Sequence, residues 1–239
     1  MRTKAGNLMY ILPNLFTAAS IFVAVLSIIN AVEGNFEKAS WFILLSLIFD
    51  GLDGRVARLT NTCSRFGIEF DSLADIVAFG VAPAVLMYLF VGNDFGRFGI
   101  VVSALFVILG AIRLARFNVM TGKNEPSVFI GVPIPTAAVF ISLLVLLFQK
   151  YSLNEEYGLV LLMISIFVSM LMVSNIRYPS FKKIDLTPKH MMKLFVIILV
   201  IALSIFMFPI EGFTILFSLY LIYGPLRALT LFKRHITKK

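Results

Sequence analysis

Residues 50–75 read DGLDGRVARLTNTCSRFGIEFDSLAD and place four aspartates next to long apolar stretches. Asp50 and Asp53 are three residues apart, and Asp71 and Asp75 are four residues apart. On a helix, either spacing puts both side chains on one face. The short polar segment 60–67 separates the two pairs and predicts an antiparallel helix pair whose acidic faces meet. Carboxylates beside membrane spans are costly and usually functional, so we expect a site here.

The composition around this stretch is typical of an integral membrane protein. Hydrophobic residues make up 59% of the 239, charged residues make up 14%, and the mean hydropathy is +0.95. A helix needs about 20 apolar residues to cross the hydrocarbon layer. We therefore predict an all-α bundle in one domain, residues 1–239, with about eight transmembrane helices at 10–31, 37–56, 71–91, 97–117, 127–148, 157–176, 192–209 and 211–232. The first apolar run is too long for a signal-peptide core, and residues 209–212 are expected to form a tight turn.

The positive charges predict which side of the membrane the acidic cluster faces. If both termini lie on one side, that side receives eighteen of the 21 Lys and Arg residues, and only Lys38, Arg97 and Lys150 fall opposite. The positive-inside rule makes the rich side cytoplasmic. We thus predict a protein of the cell membrane whose termini and site face the cytoplasm. Because the cations are spread over several loops, they indicate attraction to anionic lipid head groups and no nucleic-acid partner.

The acidic cluster predicts a particular chemistry. Four carboxylates brought together cannot all stay ionised without a cation between them. Oxygen ligands favour Mg²⁺ or Mn²⁺, and two metals that share carboxylates can clamp a diphosphate during its displacement. Gly54 and Gly67 leave room for a phosphate backbone, and Arg58 offers it a bidentate cation. The alternative interpretation, in which the aspartates merely cap two membrane helices, leaves these three residues unexplained.

The same residues resemble the signature of the CDP-alcohol phosphotransferases, D-x-x-D-G-x-x-A-R, eight residues, then G-x-x-x-D-x-x-x-D. The chain matches every fixed position, at Asp50, Asp53, Gly54, Ala57, Arg58, Gly67, Asp71 and Asp75. The resemblance implies two divalent cations, Mg²⁺ or Mn²⁺, held by Asp50, Asp53, Asp71 and Asp75, with Asp75 also acting as general base. It implies CDP-lipid contacts at Asn14, Thr17, Asp53, Gly54, Ala57, Arg58, Gly67 and Asp71. Asn14 and Thr17 belong to a Pro-Asn-x-x-Thr pattern that resembles the family's entry to the first span.

Further segments resemble the phosphatidylserine synthase branch of that family. They are residues 71–84, 113–118, 131–135, 172–174 and 178–182, and Ile76 replaces the Lys that phosphatidylglycerophosphate synthases usually carry after the last Asp. The resemblance covers most of a catalytic core at about 10–185, followed by two additional spans at 192–232. It implies transfer of a phosphatidyl group from CDP-diacylglycerol to L-serine, in a homodimer embedded in membrane lipid.

Recognition of serine has a physical requirement, because its carboxylate needs a cation or backbone donors. Arg113 and Arg116 lie three residues apart near a helix end, so both could face the acidic cluster. We predict that the acceptor is bound by Arg113, Arg116, Asn118, Arg177 and Lys182. The alternative is that these cations only set the membrane topology.

Three other functions remain open from the residues. The same chemistry could serve another acceptor, such as glycerol 3-phosphate or an inositol derivative. Intramembrane prenyltransferases also carry metal-binding aspartates, but in two motifs far apart in the chain. A cation transporter would explain the acids but not Gly54, Arg58 and Gly67.

Overall fold

The structure is a computed structural model that describes residues 5–120, 128–179, 203 and 206–236. Its α-helices are α1 (Ala5–Val32), α2 (Phe36–Leu59), α3 (Arg65–Asp75), α4 (Ala82–Phe90), α5 (Arg97–Met120), α6 (Ile134–Lys150), α7 (Asn154–Val173) and α8 (Pro209–Ile236). A π-helical segment, Ile76–Val81, joins α3 to α4, and a 3₁₀ turn, Gly92–Phe95, precedes α5. Two short strands, β1 (Val128–Ile130) and β2 (Arg177–Pro179), pair antiparallel.

The predicted helical membrane bundle is confirmed. Five described segments are long and apolar enough to cross a bilayer: Ile11–Val32, Arg65–Phe90, Arg97–Met120, Asn154–Val173 and Pro209–Ala228. The predicted spans 37–56 and 127–148 correspond to the acidic helix α2 and the 17-residue helix α6. The predicted span 192–209 lies outside the described residues except at 203 and 206–209, so the number of spans stays a prediction.

Two sequence-based boundaries are wrong. Residues 209–212, predicted as a tight turn, form the first turn of α8, where Pro209 loses nothing because the first N–H groups of a helix have no partner in it. Residues 128–133, predicted as part of a span, form β1 and the loop before α6. Gly131 in this loop has a φ of +72°, which only glycine adopts without strain.

Hydroxyl groups hold α1 and α2 together as an antiparallel hairpin. The Ser20 and Ser46 hydroxyls lie 2.7 Å apart, and the Ser27 hydroxyl donates to the Ala39 carbonyl at 2.7 Å. All four residues are buried, and their small side chains let the two backbones approach closely. The hairpin thereby sets the carboxyl end of α2 against the amino-terminal half of α1.

Helix α6 forms the centre of the bundle. Ala137, Ile141 and Val145 are fully buried, and the helix packs against α2, α4, α7 and α8. Because it is covered by protein along its length, its 17 residues need not match the thickness of the lipid.

The π-helical segment interrupts the third span directly after Asp75. Its cause lies at Pro83, which has no N–H to donate and whose ring would clash with the carbonyl four residues earlier. The backbone widens instead, and the Ala82 N–H bonds to the Val77 carbonyl, five residues back. Such π turns often occur at functional sites.

The close contact between Gly99, near the start of α5, and Gly92 can be tested by mutation. A Cβ on Gly99 would lie 1.9 Å from the backbone oxygen of Gly92, so the Gly99→Ala variant forces the two segments apart. We expect a loss of about 1–3 kcal/mol in stability, seen as earlier thermal unfolding in detergent. Gly51→Ala is the matched control, because a Cβ there meets nothing within 4 Å. Equal unfolding temperatures for the two variants would contradict this packing.

Candidate active site

The two acidic faces meet at their carboxylates, and α1 packs against both α2 and α3. Asp50, Asp53 and Asp71 each offer a carboxylate oxygen, and these oxygens lie within 4.8 Å of one another. Asp53 is buried and also contacts Asp71 through its carboxyl group, while Asp50 and Asp71 are half-buried. The acidic side chains therefore come together, but α1 rather than a direct packing of α2 on α3 joins the two helices.

Asp75 extends this cluster towards the interior of the bundle. Its carboxyl group contacts that of Asp50 and interacts electrostatically with Arg113. Its Oδ1 atom is buried and has no hydrogen-bond partner among the described residues. A buried carboxylate oxygen without a donor is costly, so this atom calls for a proton, a cation or a substrate group.

The cluster is not neutralised by a direct ion pair. Among the side chains that the structure describes, the only such pair joins Lys150 and Glu211, which connect the end of α6 to the start of α8. Close carboxylates without a contacting Lys or Arg fit a divalent cation, and an all-oxygen donor set suits hard ions. The residues present therefore fit a bound metal ion.

Thr17 ties α1 to the cluster. Its hydroxyl donates to the Oδ2 atom of Asp53 at 2.6 Å, and both side chains are buried. Because this bond occupies one lone pair of Asp53, it orients the remaining lone pairs towards Asp50 and Asp71.

A pocket with a cavity volume of about 200 Å³ opens beside the cluster. All eight residues predicted to contact the CDP-lipid line it: Asn14, Thr17, Asp53, Gly54, Ala57, Arg58, Gly67 and Asp71. Residues that the sequence analysis did not single out complete the lining: Pro13, Thr62, Cys63, Ser64 and Ile68.

The shape of this pocket depends on two glycines and a helix cap. A Cβ on Gly54 would lie 3.4 Å from an Arg58 guanidinium nitrogen, so the absence of a side chain leaves space for the Arg58 guanidinium over α2. Ser64 caps α3, since its hydroxyl accepts the Gly67 N–H at 3.0 Å. A Cβ on Gly67 would crowd this hydroxyl at 3.2 Å. A serine before a predicted helix is a usual cap, and this signal could have identified Ser64.

Arg113 is the predicted acceptor residue that reaches the acids. It projects from α5, is only 7% exposed, and places its guanidinium carbon 5.1 Å from the centre of the Phe117 ring. It interacts electrostatically with Asp75. Its Nε atom is buried without a hydrogen-bond partner among the described residues, which leaves one donor for a ligand.

The other predicted acceptor residues lie differently. Arg116 donates to the Val173 carbonyl at 3.1 Å and to the Asn175 side chain, so it joins α5 to the end of α7. Asn118 donates to the Ser72 hydroxyl at 2.8 Å and joins α5 to α3. Arg177 belongs to β2, whose backbone alone is described at that residue, and Lys182 lies outside the described residues.

Comparisons with known proteins agree with this geometry. The family model described as CDP-alcohol phosphatidyltransferase matches residues 10–171. A Helicobacter pylori protein named CDP-diacylglycerol–serine O-phosphatidyltransferase is 53% identical over 234 residues, 98% of this chain and 97% of the relative.

Two archaeal relatives are more distant. A Methanocaldococcus jannaschii protein with the same name as the H. pylori relative is 36% identical over 210 residues, 87% of this chain and 92% of its own. An archaetidylserine synthase of Methanothermobacter thermautotrophicus is 41% identical over 170 residues, 70% of this chain and 69% of its own.

The hydrogen bond between Thr17 and Asp53 predicts an effect on ion affinity. The Thr17→Val variant keeps the shape of the side chain but removes the donor, so we expect Mn²⁺ to bind about tenfold more weakly or worse in a titration followed by electron paramagnetic resonance. Thr214→Val is the matched control: Thr214 is also buried, but its hydroxyl bonds only to its own helix, at Ile210. Unchanged Mn²⁺ affinity in Thr17→Val would show that the bond does not orient Asp53.

Proposed function

The chain belongs to the CDP-alcohol phosphatidyltransferase family, and we propose that it transfers the phosphatidyl group of CDP-diacylglycerol to the hydroxyl of L-serine, giving phosphatidylserine and CMP. One observation carries the proposal: the pocket lined by all eight predicted CDP-lipid residues includes aspartates of the acidic cluster, and Arg113 interacts with Asp75 of the same cluster. The names of the three relatives described above all refer to serine, which supports serine as the acceptor.

The pocket is the place for the donor in this proposal. Arg58 binds the diphosphate as a bidentate cation, and Gly54 and Gly67 let the nucleotide approach the backbone. Asn14 and Ala57 line the nucleotide side. Asp50, Asp53, Asp71 and Asp75 would hold two divalent cations, Mg²⁺ or Mn²⁺, which would neutralise negative charge on the diphosphate.

Asp75 is the general base at the other end of the cluster. Its carboxylate takes the proton from the serine hydroxyl as the serine oxygen forms a bond to the β-phosphorus. The bond between this phosphorus and the oxygen that bridges to the α-phosphate breaks, and CMP leaves with that oxygen. The buried, unpartnered Oδ1 atom of Asp75 supports this role, because it is free to accept a proton.

Arg113 receives the carboxylate of serine. A guanidinium beside the base brings the acceptor hydroxyl within reach of Asp75 while it binds the opposite end of the molecule. Arg116 and Asn118 support the end of α5 through their bonds to α7 and α3, and so act on the acceptor through Arg113. Arg177 and Lys182 remain proposed acceptor residues on the strength of the resemblance alone.

The proposal includes the setting of the enzyme. We place the acidic end of the bundle on the cytoplasmic side of the cell membrane, on the basis of the charge distribution. The catalytic core would occupy about residues 10–185, with the additional spans after it, and the enzyme would work as a homodimer, as the family resemblance implies.

A direct assay tests the function. Purified protein supplied with CDP-diacylglycerol, Mg²⁺ or Mn²⁺ and labelled serine is expected to release CMP and to form a labelled lipid in equal amounts, and a chelator should stop both. Glycerol 3-phosphate and inositol are offered in parallel. Labelled lipid from one of these acceptors and none from serine would overturn the serine assignment.

Replacement of the proposed base should separate chemistry from binding. We expect Asp75→Asn to lower the transfer rate by about 10²–10⁴-fold, because the amide cannot accept the proton. Binding of CDP-diacylglycerol is expected to change much less. Glu69→Gln is a control, since Glu69 is an exposed acid on the same helix outside the site. Full activity in Asp75→Asn would rule out its role as base.

Cys63 offers a test of the proposed sidedness. It is the one cysteine of the chain, is exposed, and lines the pocket. A membrane-impermeant maleimide should label it in inverted membrane vesicles and not in intact cells, and CDP-diacylglycerol with metal should slow the labelling. The Cys63→Ser variant controls for other reactive proteins. Labelling in intact cells would reverse the predicted orientation.

A further inference from the structure

The loop between α2 and α3 places Thr62 in the wall of the pocket. Asn61 turns the chain after the end of α2 with a φ of +53°, a conformation that asparagine tolerates better than most residues. The Thr62 N–H then donates to the Ala57 carbonyl at 3.0 Å. Thr62 is only 7% exposed and lines the pocket together with Ala57. Its backbone is therefore fixed to α2, beside a residue predicted to contact the nucleotide.

The hydrogen bonds of the neighbouring Thr60 determine what the Thr62 hydroxyl can do. The Oγ1 atom of Thr60 lies 2.7 Å from the Val56 carbonyl oxygen and 2.7 Å from the Oγ1 atom of Thr62. A carbonyl oxygen only accepts hydrogen bonds, so the single proton of the Thr60 hydroxyl is donated to Val56. The proton between the two threonines is then that of Thr62. The Thr62 hydroxyl therefore offers a ligand lone pairs and no proton.

The loop forms the end of the pocket that is distant from the acids. Asp53 lies six residues before the end of α2 at Leu59, and Asp71 lies six residues after the start of α3 at Arg65. Each acid is therefore about 9 Å along its helix from the loop. A nucleotide with its diphosphate at the acids extends away from them through its ribose. The loop is then the part of the pocket wall that its base reaches.

Cytosine and uracil differ in the group that they present to such a wall. Cytosine carries an exocyclic amino group, which donates hydrogen bonds, where uracil carries a carbonyl oxygen, which only accepts them. We propose that Thr62 is a specificity-determining residue whose Oγ1 atom accepts a hydrogen bond from the amino group of the cytosine base of the donor. A uracil base would set its carbonyl oxygen against the lone pairs of Thr62 and lose this bond. The inference rests on the proposed function and deepens it, since Thr62 is outside the signature.

Equilibrium binding of CMP and of UMP to the purified full-length protein, with Mg²⁺ and without acceptor, tests the inference. We expect the wild type to bind CMP about tenfold more tightly than UMP, or better, because UMP leaves a buried acceptor unpaired. Thr62→Val keeps the shape of the side chain and removes the hydroxyl, so it should weaken CMP binding about tenfold and leave UMP binding unchanged. Thr62→Ser keeps the hydroxyl and should retain the preference for CMP.

The Thr60→Val variant tests the direction of the hydrogen bond. It removes the atom that accepts the Thr62 proton, so the Thr62 hydroxyl can turn and donate to the carbonyl oxygen of uracil. We expect UMP to bind about tenfold more tightly than in the wild type, although Thr60 itself is not among the residues that line the pocket. A purely structural role of the loop would instead weaken both nucleotides.

Thr214→Val is again the matched control, because it removes a threonine hydroxyl that bonds only within α8. An unchanged ratio of CMP to UMP affinity in Thr62→Val would overturn the inference. So would an equal loss of both affinities, which would indicate a contact with the ribose or the phosphate. Failure of the proposed function would appear differently, as wild-type protein that forms no lipid from CDP-diacylglycerol and serine.

Discussion

The repulsion between four neighbouring carboxylates is the constraint on which the rest of the molecule depends. Two helices can hold these groups close only if the surrounding bundle is rigid enough to resist their separation and a cation can enter between them. The hairpin of α1 and α2 supplies part of that rigidity through buried serine contacts, and Thr17 adds a hydrogen bond to Asp53. The buried helix α6 supports α2 and α4 from the other side. The contacts that stabilise the bundle around α2 therefore also hold the carboxylates in position.

The sequence predicted the acidic half of this arrangement well. The spacing of the aspartates puts each pair on one helix face, and the short polar connection keeps the two faces close together. The pocket follows from the same segment, because Gly54, Arg58 and Gly67 lie within two turns of the acids. Local periodicity was sufficient here, since all the lining residues except Pro13, Asn14 and Thr17 lie within positions 50–75.

The acceptor half could be predicted only in part, because its contacts join residues that are distant in the chain. Arg113 and Arg116 have similar positions in the sequence, yet one lies beside Asp75 and the other bonds to the end of α7. The rotation of α5 relative to α7 decides which arginine lies beside Asp75. No local sequence pattern predicts that rotation. The same holds for Tyr178 of β2 and Tyr220 of α8, whose rings lie 5.2 Å apart because Gly224 lets α8 approach Tyr178 closely. The pairing of β1 with β2 was missed because three-residue strands carry no periodic signal.

The π-helical segment after Asp75 has a consequence for how the third span can vary. A wide turn adds about one residue relative to an α-helix, and one residue corresponds to about 100° of rotation. The π-helical segment therefore lets the two halves of the span face different directions. The acidic half faces α2, and the apolar half faces α5 and α6. Each half can accept substitutions suited to its own neighbours without turning the other out of alignment. In a regular α-helix the two halves would rotate together. A substitution that turned the lipid-embedded half would then also turn the carboxylates away from α2.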